Sequence, residues 1–161
     1  MSISMYRASI PVFVRGLRNL SAILKKGESQ GDALVEARLA PDMLTLAGQI
    51  QRASDSSKGA AARLAGISAP SLPDEEKTFA DLQARIQKTI DFLESVKPAQ
   101  VDGSEQKKIE LKAGPNELKF TGLDYLLGFA LPNFFFHVTT AYDILRAKGV
   151  QVGKMDYLGS Y

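Results

Sequence analysis

Leu131–Gly149 reads Leu-Pro-Asn-Phe-Phe-Phe-His-Val-Thr-Thr-Ala-Tyr-Asp-Ile-Leu-Arg-Ala-Lys-Gly, and this stretch decides the fold. Pro132 suits the first turn of a helix, because its φ is already helical and its missing N–H would have no partner there. Gly149 suits the residue after the helix, where a left-handed conformation is common. At about 100° per residue, the apolar side chains gather on one broad face. That face comprises Phe134, Val138, Ala141, Tyr142, Ile144 and Leu145. The pattern predicts one complete amphipathic helix.

Composition excludes several functional classes. The chain has 161 residues, 45% of them hydrophobic and 24% charged, which is ordinary for a domain with a substantial core. A net charge of +2, with basic and acidic residues interspersed, argues against nucleic-acid binding. The absence of cysteine excludes disulfides, thiolate zinc sites and cysteine nucleophiles. No apolar run reaches the roughly 18 residues of a membrane span, so we expect a cytoplasmic protein without membrane contact.

Three further helices precede the decisive stretch. The first carries an apolar seam at alternating spacings of three and four, with a kink or a late start expected at Pro11. We expect the second to begin at Pro41–Asp42 and to end at Gly66. The third begins near the acidic residues 74–76 and ends before Pro98. The seam of the first helix comprises Ile3, Tyr6, Ile10, Phe13, Leu17, Leu20 and Leu24.

Between the third and last helices the apolar period changes from helical to alternating. Residues 108–112 and 117–120 alternate apolar and charged side chains around Gly114-Pro115-Asn116, which predicts a β-hairpin. Thr121, three residues before Asp124, is typical of a helix cap and predicts a short helix through Phe129. No repeat or linker divides the chain. We therefore predict a single domain over residues 1–161, an all-α four-helix bundle with a small β-hairpin between helices three and four.

Several of these segments resemble an uncharacterised bacterial and fungal family within the DinB/YfiT-like bundles, which are described as putative metalloenzymes. The resemblance covers essentially the whole chain. The segments that carry it are Ala40-Pro41-Asp42-Met43, Asp124-Tyr125-Leu126-Leu127, Ala130-Leu131-Pro132-Asn133-Phe134, His137-Val138-Thr139-Thr140-Ala141-Tyr142, Leu145-Arg146 and Lys154-Met155-Asp156-Tyr157-Leu158-Gly159.

The resemblance implies an up-down-down-up bundle with a divalent metal between helices. In the wider superfamily, one histidine of helix two and two histidines four residues apart on the last helix often bind the metal, and some members transfer a low-molecular-weight thiol. Here His137 is the only histidine, Asn133 lies four residues earlier, and Asp42 lies near the helix-two position. The expected metal site is therefore His137, Asn133 and Asp42, supporting a metal-assisted transfer or hydrolysis.

Other interpretations of His137 stay open. It could be a structural histidine hydrogen-bonded inside the bundle, with Asn133 joining helix ends and Asp42 serving only the helix dipole. It could also be a general base oriented by Asp42 or Asp124, without metal, with Tyr6, Tyr125 or Tyr142 nearby. In the structural case, the protein would be a non-catalytic dimeric bundle that binds a small molecule or a protein partner.

The run Phe134-Phe135-Phe136 bears on the dimer, because three successive residues cannot share one helix face. Phe136 falls toward the polar side, near Thr140 and Asp143. Leaving its ring bare is unfavourable, which predicts that something covers it. We expect cover from the hairpin or the tail, with a homodimer as the alternative.

Overall fold

Residues 3–160 are described by the computed structural model, with the backbone alone for Ala113. The helices are α1 (Met5–Gly27), α2 (Leu46–Ala65), α3 (Phe79–Ser95), α4 (Pro98–Val101), α5 (Gly122–Tyr125), α6 (Leu131–Ala147) and α7 (Lys154–Leu158). The strands are β1 (Lys108–Ala113) and β2 (Asn116–Thr121). Two short 3₁₀ turns, Glu28–Gln30 and Asp32–Glu36, follow α1, and a π turn, Leu126–Ala130, joins α5 to α6. The chain is thus mostly helical with one antiparallel hairpin, as predicted.

The first two helices begin at hydroxyl side chains. Ser4 accepts a hydrogen bond from the backbone N–H of Arg7, and α1 then runs through Pro11 to Gly27. Thr45 accepts from Gly48 N, so α2 begins at Leu46. The predicted start at Pro41–Asp42 is wrong, because this segment forms a turn closed by a bridge between Arg38 and Thr45.

The predicted end of α2 is confirmed. Gly66 has φ of 72°, the left-handed conformation that ends a helix most easily in glycine, and its N–H bonds the carbonyl of Ala62. Helix α3 begins at Phe79, three residues after the acidic cluster of residues 74–76. Thr78 and Asp81 form a capping box there, each side chain accepting from the other's backbone N–H.

The hairpin is confirmed with its turn. Lys108 pairs with Thr121 at the open end and Ala113 with Asn116 at the turn, where Gly114 has φ of 60°. Ile109 is buried, and Leu111 and Phe120 pack against the core. The hairpin therefore contributes to the helical core.

The decisive stretch is longer than predicted. Thr121 caps the helix as expected, but α5, the π turn and α6 are continuous, so Leu131 is not a helix start. Leu131 N–H instead bonds the carbonyl of Leu126, five residues back. Pro132 comes next and cannot donate a hydrogen bond, and its ring disfavours an ordinary turn against residue 128. A wider turn placed just before the proline lets the helix continue.

The core lies among α1, α2, α3 and α6. Helix α1 packs against α3 and α6, and α2 packs against α3 and α6. Phe134 is buried edge-to-face against Phe13, with ring centroids 5.1 Å apart, and lies directly over Gly16. The predicted apolar face of α6 is thus the centre of the core.

The C-terminal segment folds back onto α1. Gly149 has φ of 89° and turns the chain, after which Val150 and Val152 are buried. Asn19 donates to the carbonyl of Tyr157, and Lys26 pairs with Asp156 at 2.7 Å. Over residues 3–160, no helix combines the length and the apolar character that crossing a bilayer requires.

Candidate functional site

A line of polar contacts joins α2 to the long α5–α6 helix. Three side chains of α2, spaced seven residues apart, each hydrogen-bond one residue of that helix. We call this line the polar seam. Its pairs are Gln49–His137 at 2.7 Å, Ser56–Asn133 at 2.8 Å and Arg63–Tyr125 at 3.1 Å. A seven-residue spacing keeps the α2 side chains on one face, so the seam follows the contact between the two helices.

His137 is held by Gln49. The amide nitrogen of Gln49 donates to the carbonyl of Leu44, which leaves its oxygen for the imidazole Nδ1. Because an amide oxygen only accepts, Nδ1 carries the proton and Nε2 keeps its lone pair. Burial of the ring, with the nearby charge of Arg52 as a smaller cause, lowers the pKa of His137 to about 4. The ring is therefore neutral at pH 7.

Asn133 lies one turn earlier on the same helix and is partly buried. Its amide nitrogen donates to Ser56 Oγ, and Ser56 in turn donates to the carbonyl of Arg52 at 2.6 Å. Asn133 thus connects the two helices. One hydrogen of its amide group is left for another acceptor.

The third expected ligand, Asp42, lies elsewhere. It is exposed in the turn before α2, and no hydrogen bond joins it to His137 in residues 3–160. The α2 residue that reaches His137 is Gln49. The seven-residue spacing of Gln49, Ser56 and Arg63 marks one face of α2 in the sequence, but it does not predict the contact with His137.

Asp124 does not orient His137 either. Its carboxylate accepts from Thr121 Oγ1 at 2.7 Å at the start of α5. The group that orients the imidazole is the uncharged amide of Gln49. A base oriented by a carboxylate thus finds no support in these contacts.

A network of ion pairs lies beside the seam, which sequence patterns did not indicate. Arg85 of α3 is only 2% exposed, and it contacts Asp55 at 3.0 Å, Asp74 at 3.0 Å and Glu76 at 2.9 Å. Burial alone would lower the pKa of Arg85, but the hydrogen bond and charge of Glu76, together with the charges of Asp55 and Asp74, outweigh it and raise the pKa. The acidic residues before α3 therefore bind a buried guanidinium and hold the α2–α3 connection against both helices.

Two more cations complete the network. Lys58 pairs with Asp55 at 2.8 Å, and Arg52 pairs with both Asp55 and Asp74. Arg52 is also the charge that acts on His137. The network thus adjoins the polar seam.

A cavity of about 200 Å³ opens between the second and third pairs of the seam. Its polar lining is Arg52, Asp55, Ser56, Arg63, Tyr125 and Asn133. Leu111 of the hairpin, Phe129 and Ala130 form the apolar part of the wall. Burial raises the pKa of the Tyr125 hydroxyl, although the nearby Arg63 opposes the shift. The hydroxyl is therefore protonated at neutral pH.

Comparison with known proteins identifies the family. Residues 5–158 match the family described as Domain of unknown function (DUF1993). The chain belongs to the DUF1993 family. It is also similar to a solved structure of a DinB family member protein from Shewanella denitrificans, at 37% sequence identity and a TM-score of 0.86. The match covers 97% of this chain and 92% of that one. Among curated proteins, none matches this chain.

The DinB likeness raises the question of whether this DUF1993 domain has ligands for a metal. Within the described part of the chain, no three His, Cys, Asp or Glu side chains are grouped where they could hold an ion. His137 bonds the amide of Gln49 and lies near the charge of Arg52, and Asn133 directs its NH₂ group toward Ser56. Divalent transition metals favour several imidazole, thiolate or carboxylate ligands. The donor set at the seam does not fit a three-ligand metal centre.

Proposed function

We propose that this DUF1993 protein is a DinB-like bundle that binds a small organic molecule in the cavity along the polar seam. The cavity itself carries the proposal, because the side chains that connect α2 to the long helix also form its wall. Ligand sites in bundles commonly lie between facing helices and combine an apolar wall with a few placed polar groups. His137 lies at the other end of the seam, four residues after Asn133, and is not part of the cavity wall.

A variant that fills the cavity tests this proposal. Ser56→Leu places a larger apolar side chain in the wall, and Ser71→Leu makes the same change at an exposed loop position. We expect small carboxylates, amides or alcohols to raise the melting temperature of the wild type and of Ser71→Leu, but not of folded Ser56→Leu. Equal ligand shifts in all three proteins, or no shift with any compound, would reject binding in this cavity.

Metal-assisted transfer or hydrolysis is the competing hypothesis, in which a divalent metal binds His137, Asn133 and Asp42. Mass spectrometry of untagged protein prepared without chelator measures the bound metal directly. We expect less than one metal per chain, no effect of His137→Ala on that content, and no divalent-ion stabilisation. Stoichiometric metal that disappears in His137→Ala would support the metal centre and overturn our preference.

A homodimer is a second proposal, favoured by exposed apolar side chains on the long helix. Phe136 and Leu127 are each 54% exposed, and Leu123 is also exposed. The expected cover by the hairpin or the tail is wrong, since neither buries Phe136. Large apolar side chains along one exposed helix suit a symmetric contact with a second copy.

We also infer an up-down-down-up order for the four long helices. Gly16 and Gly27 of α1 adjoin Phe134 and Leu145 of α6 in the same chain order, which supports a parallel pair. The seam pairs later residues of α2 with earlier residues of α5–α6, which supports an antiparallel pair. Arg18–Glu94 and Ser21–Gln83 support an antiparallel α1 and α3.

A further inference from the structure

We infer that the cavity along the polar seam selects a small monocarboxylate, held by Arg63, Tyr125 and Asn133. This inference rests on the proposed function and specifies its ligand class. It depends on the balance of charge around the cavity, on the hydrogen-bond donors in its wall and on its apolar side.

The charge balance leaves one cation in excess. The network holds three cations and three carboxylates. The cations are Arg52, Lys58 and Arg85, and the carboxylates are Asp55, Asp74 and Glu76. Asp55, the one carboxylate in the cavity wall, is thus neutralised by its own partners. Arg63 has no carboxylate within ion-pair distance in residues 3–160, and its guanidinium contacts the uncharged Tyr125.

Hydrogen-bond donors converge on the same cavity. Tyr125 Oη accepts from Arg63 Nη1 at 3.1 Å, so its own hydrogen is left for another acceptor. The amide of Asn133 has one hydrogen beyond the one given to Ser56. A guanidinium, a phenol and an amide NH₂ together suit a carboxylate, which only accepts and binds guanidinium through two parallel hydrogen bonds.

The cavity wall is also partly apolar and aromatic. The rings of Tyr125 and Phe129 stack with centroids 6.0 Å apart and an interplanar angle of 21°. Leu111 and Ala130 complete this side. A volume of about 200 Å³ is small for a ligand pocket, so it restricts the body attached to the carboxylate to a short branched or single aromatic group. Benzoate is therefore a suitable probe, and benzamide is its neutral counterpart of nearly equal shape.

Isothermal titration of the full chain with both probes tests the inference. We expect benzoate to bind and benzamide to bind at least tenfold more weakly. Arg63→Met should weaken benzoate binding about tenfold or more, as loss of a charge-assisted hydrogen bond requires. Tyr125→Phe should also weaken it. Arg18→Met, which removes an exposed arginine of α1 that pairs with Glu94, should leave it unchanged.

Other outcomes overturn the inference. Equal binding of benzamide, unchanged binding in Arg63→Met, or binding of inorganic phosphate but not of benzoate would each reject it. If Arg63→Met does not fold, Arg63→Lys is measured instead. Lysine retains the charge but lacks the planar guanidinium that forms two parallel hydrogen bonds. An unchanged benzoate affinity in Arg63→Lys rejects bidentate binding. If neutral compounds raise the melting temperature and Ser56→Leu abolishes that rise, the proposed function stands although the carboxylate inference fails. If no compound gives a rise that Ser56→Leu abolishes, the proposed function and the inference both fail.

Discussion

At the scale of single residues, the environment of His137 makes stability depend on pH. The folded pKa is about 4 against an ordinary value of 6.5, so between these values the unfolded chain binds a proton that the folded chain does not. The contribution to the free energy of unfolding is complete above pH 6.5 and decreases as the pH falls toward 4. We expect a loss of about 1–2 kcal/mol between pH 7.5 and 5, allowing for the partial exposure of the ring.

Urea unfolding at the two pH values measures this loss, with His137→Gln as the control. Glutamine does not titrate, so the variant should lose less stability on acidification than the wild type. NMR of the single histidine should show Nδ1–H and a neutral ring at pH 6. A measured pKa near 6.5, or equal pH dependence in both proteins, would contradict the assigned environment.

Arg85 should be among the most sensitive single positions. Arg85→Met removes the cation from Asp55, Asp74 and Glu76 while retaining much of the side-chain volume. We expect a loss of about 3–5 kcal/mol in the free energy of unfolding, since it leaves the mostly buried Glu76 without its cation, while Asp55 keeps Arg52 and Lys58, and Asp74 keeps Arg52. Arg18→Met removes an exposed ion pair and should cost at most about 1 kcal/mol. Similar losses in urea unfolding would show that Arg85 is no more important than a surface arginine.

The sequence predicted the buried apolar residues better than these polar contacts. Phe134 and Ile144 follow the helical period, and that period alone assigns them to the core. Arg85 also follows the helical period of α3, but the burial of a cation there could not be predicted. Asp74 and Glu76 come from a loop whose path no local rule predicts, and Asp55 comes from another helix. Gln49 was missed for a related reason, since its contact with His137 depends on how two distant helices align.

At the scale of elements, two glycines of the long helix should respond oppositely to alanine. A Cβ on Gly122 would lie 2.0 Å from the carbonyl oxygen of Ser104, which also accepts from Lys107 N–H. A Cβ on Gly128 would meet nothing within 4 Å. We expect Gly122→Ala to destabilise by about 2–3 kcal/mol or more, and Gly128→Ala to stabilise by about 0.5–1 kcal/mol.

Thermal and urea unfolding of both variants measure the difference. Equal effects would show that the start of the helix has room near Ser104.

Helix starts were also the least predictable part of the elements. Pro41 and Pro132 both fit an initiating position by local preference, but Thr45 and Thr121 cap the helices instead. A helix tolerates proline in its first turn, but proline does not make a helix start there. The start is set by a side-chain hydroxyl that accepts a hydrogen bond from a free backbone N–H.

At the scale of the whole molecule, the exposed aromatic residue bears on assembly. Phe136→Ser replaces an apolar side chain that is 54% exposed, so it should leave the fold intact. If this face joins two copies, sedimentation should show a wild-type dimer and a variant whose dimer dissociates at least tenfold more readily. Met155→Ser is the matched control, because it makes the same kind of change at an exposed apolar position on a different helix, α7. A monomeric wild type, or equal dimerisation of all three proteins, would reject this interface.

The helical fold with its hairpin could be predicted because it follows from periods that many residues share. Loss of one residue from such a pattern changes little. The candidate site depends instead on a few polar side chains from α2, α5, α6 and the hairpin, each placed by tertiary packing. Asn133 and His137 were singled out because the resemblance to DinB-like bundles implies metal ligands four residues apart on the last helix.

The π turn has a consequence for anyone who aligns or redesigns this helix. An α-helix advances by about 100° per residue, so the wider turn at residues 126–130 works as a built-in phase correction between its two halves. Converting this turn to a regular α-helix without removing a residue would rotate Asn133 and His137 by roughly a quarter turn relative to Tyr125. The two halves could then no longer contact the same partner helix. Excising Gly128 together with the wider turn would restore the phase, so a homologue one residue shorter here can keep both ends of the seam on a regular helix.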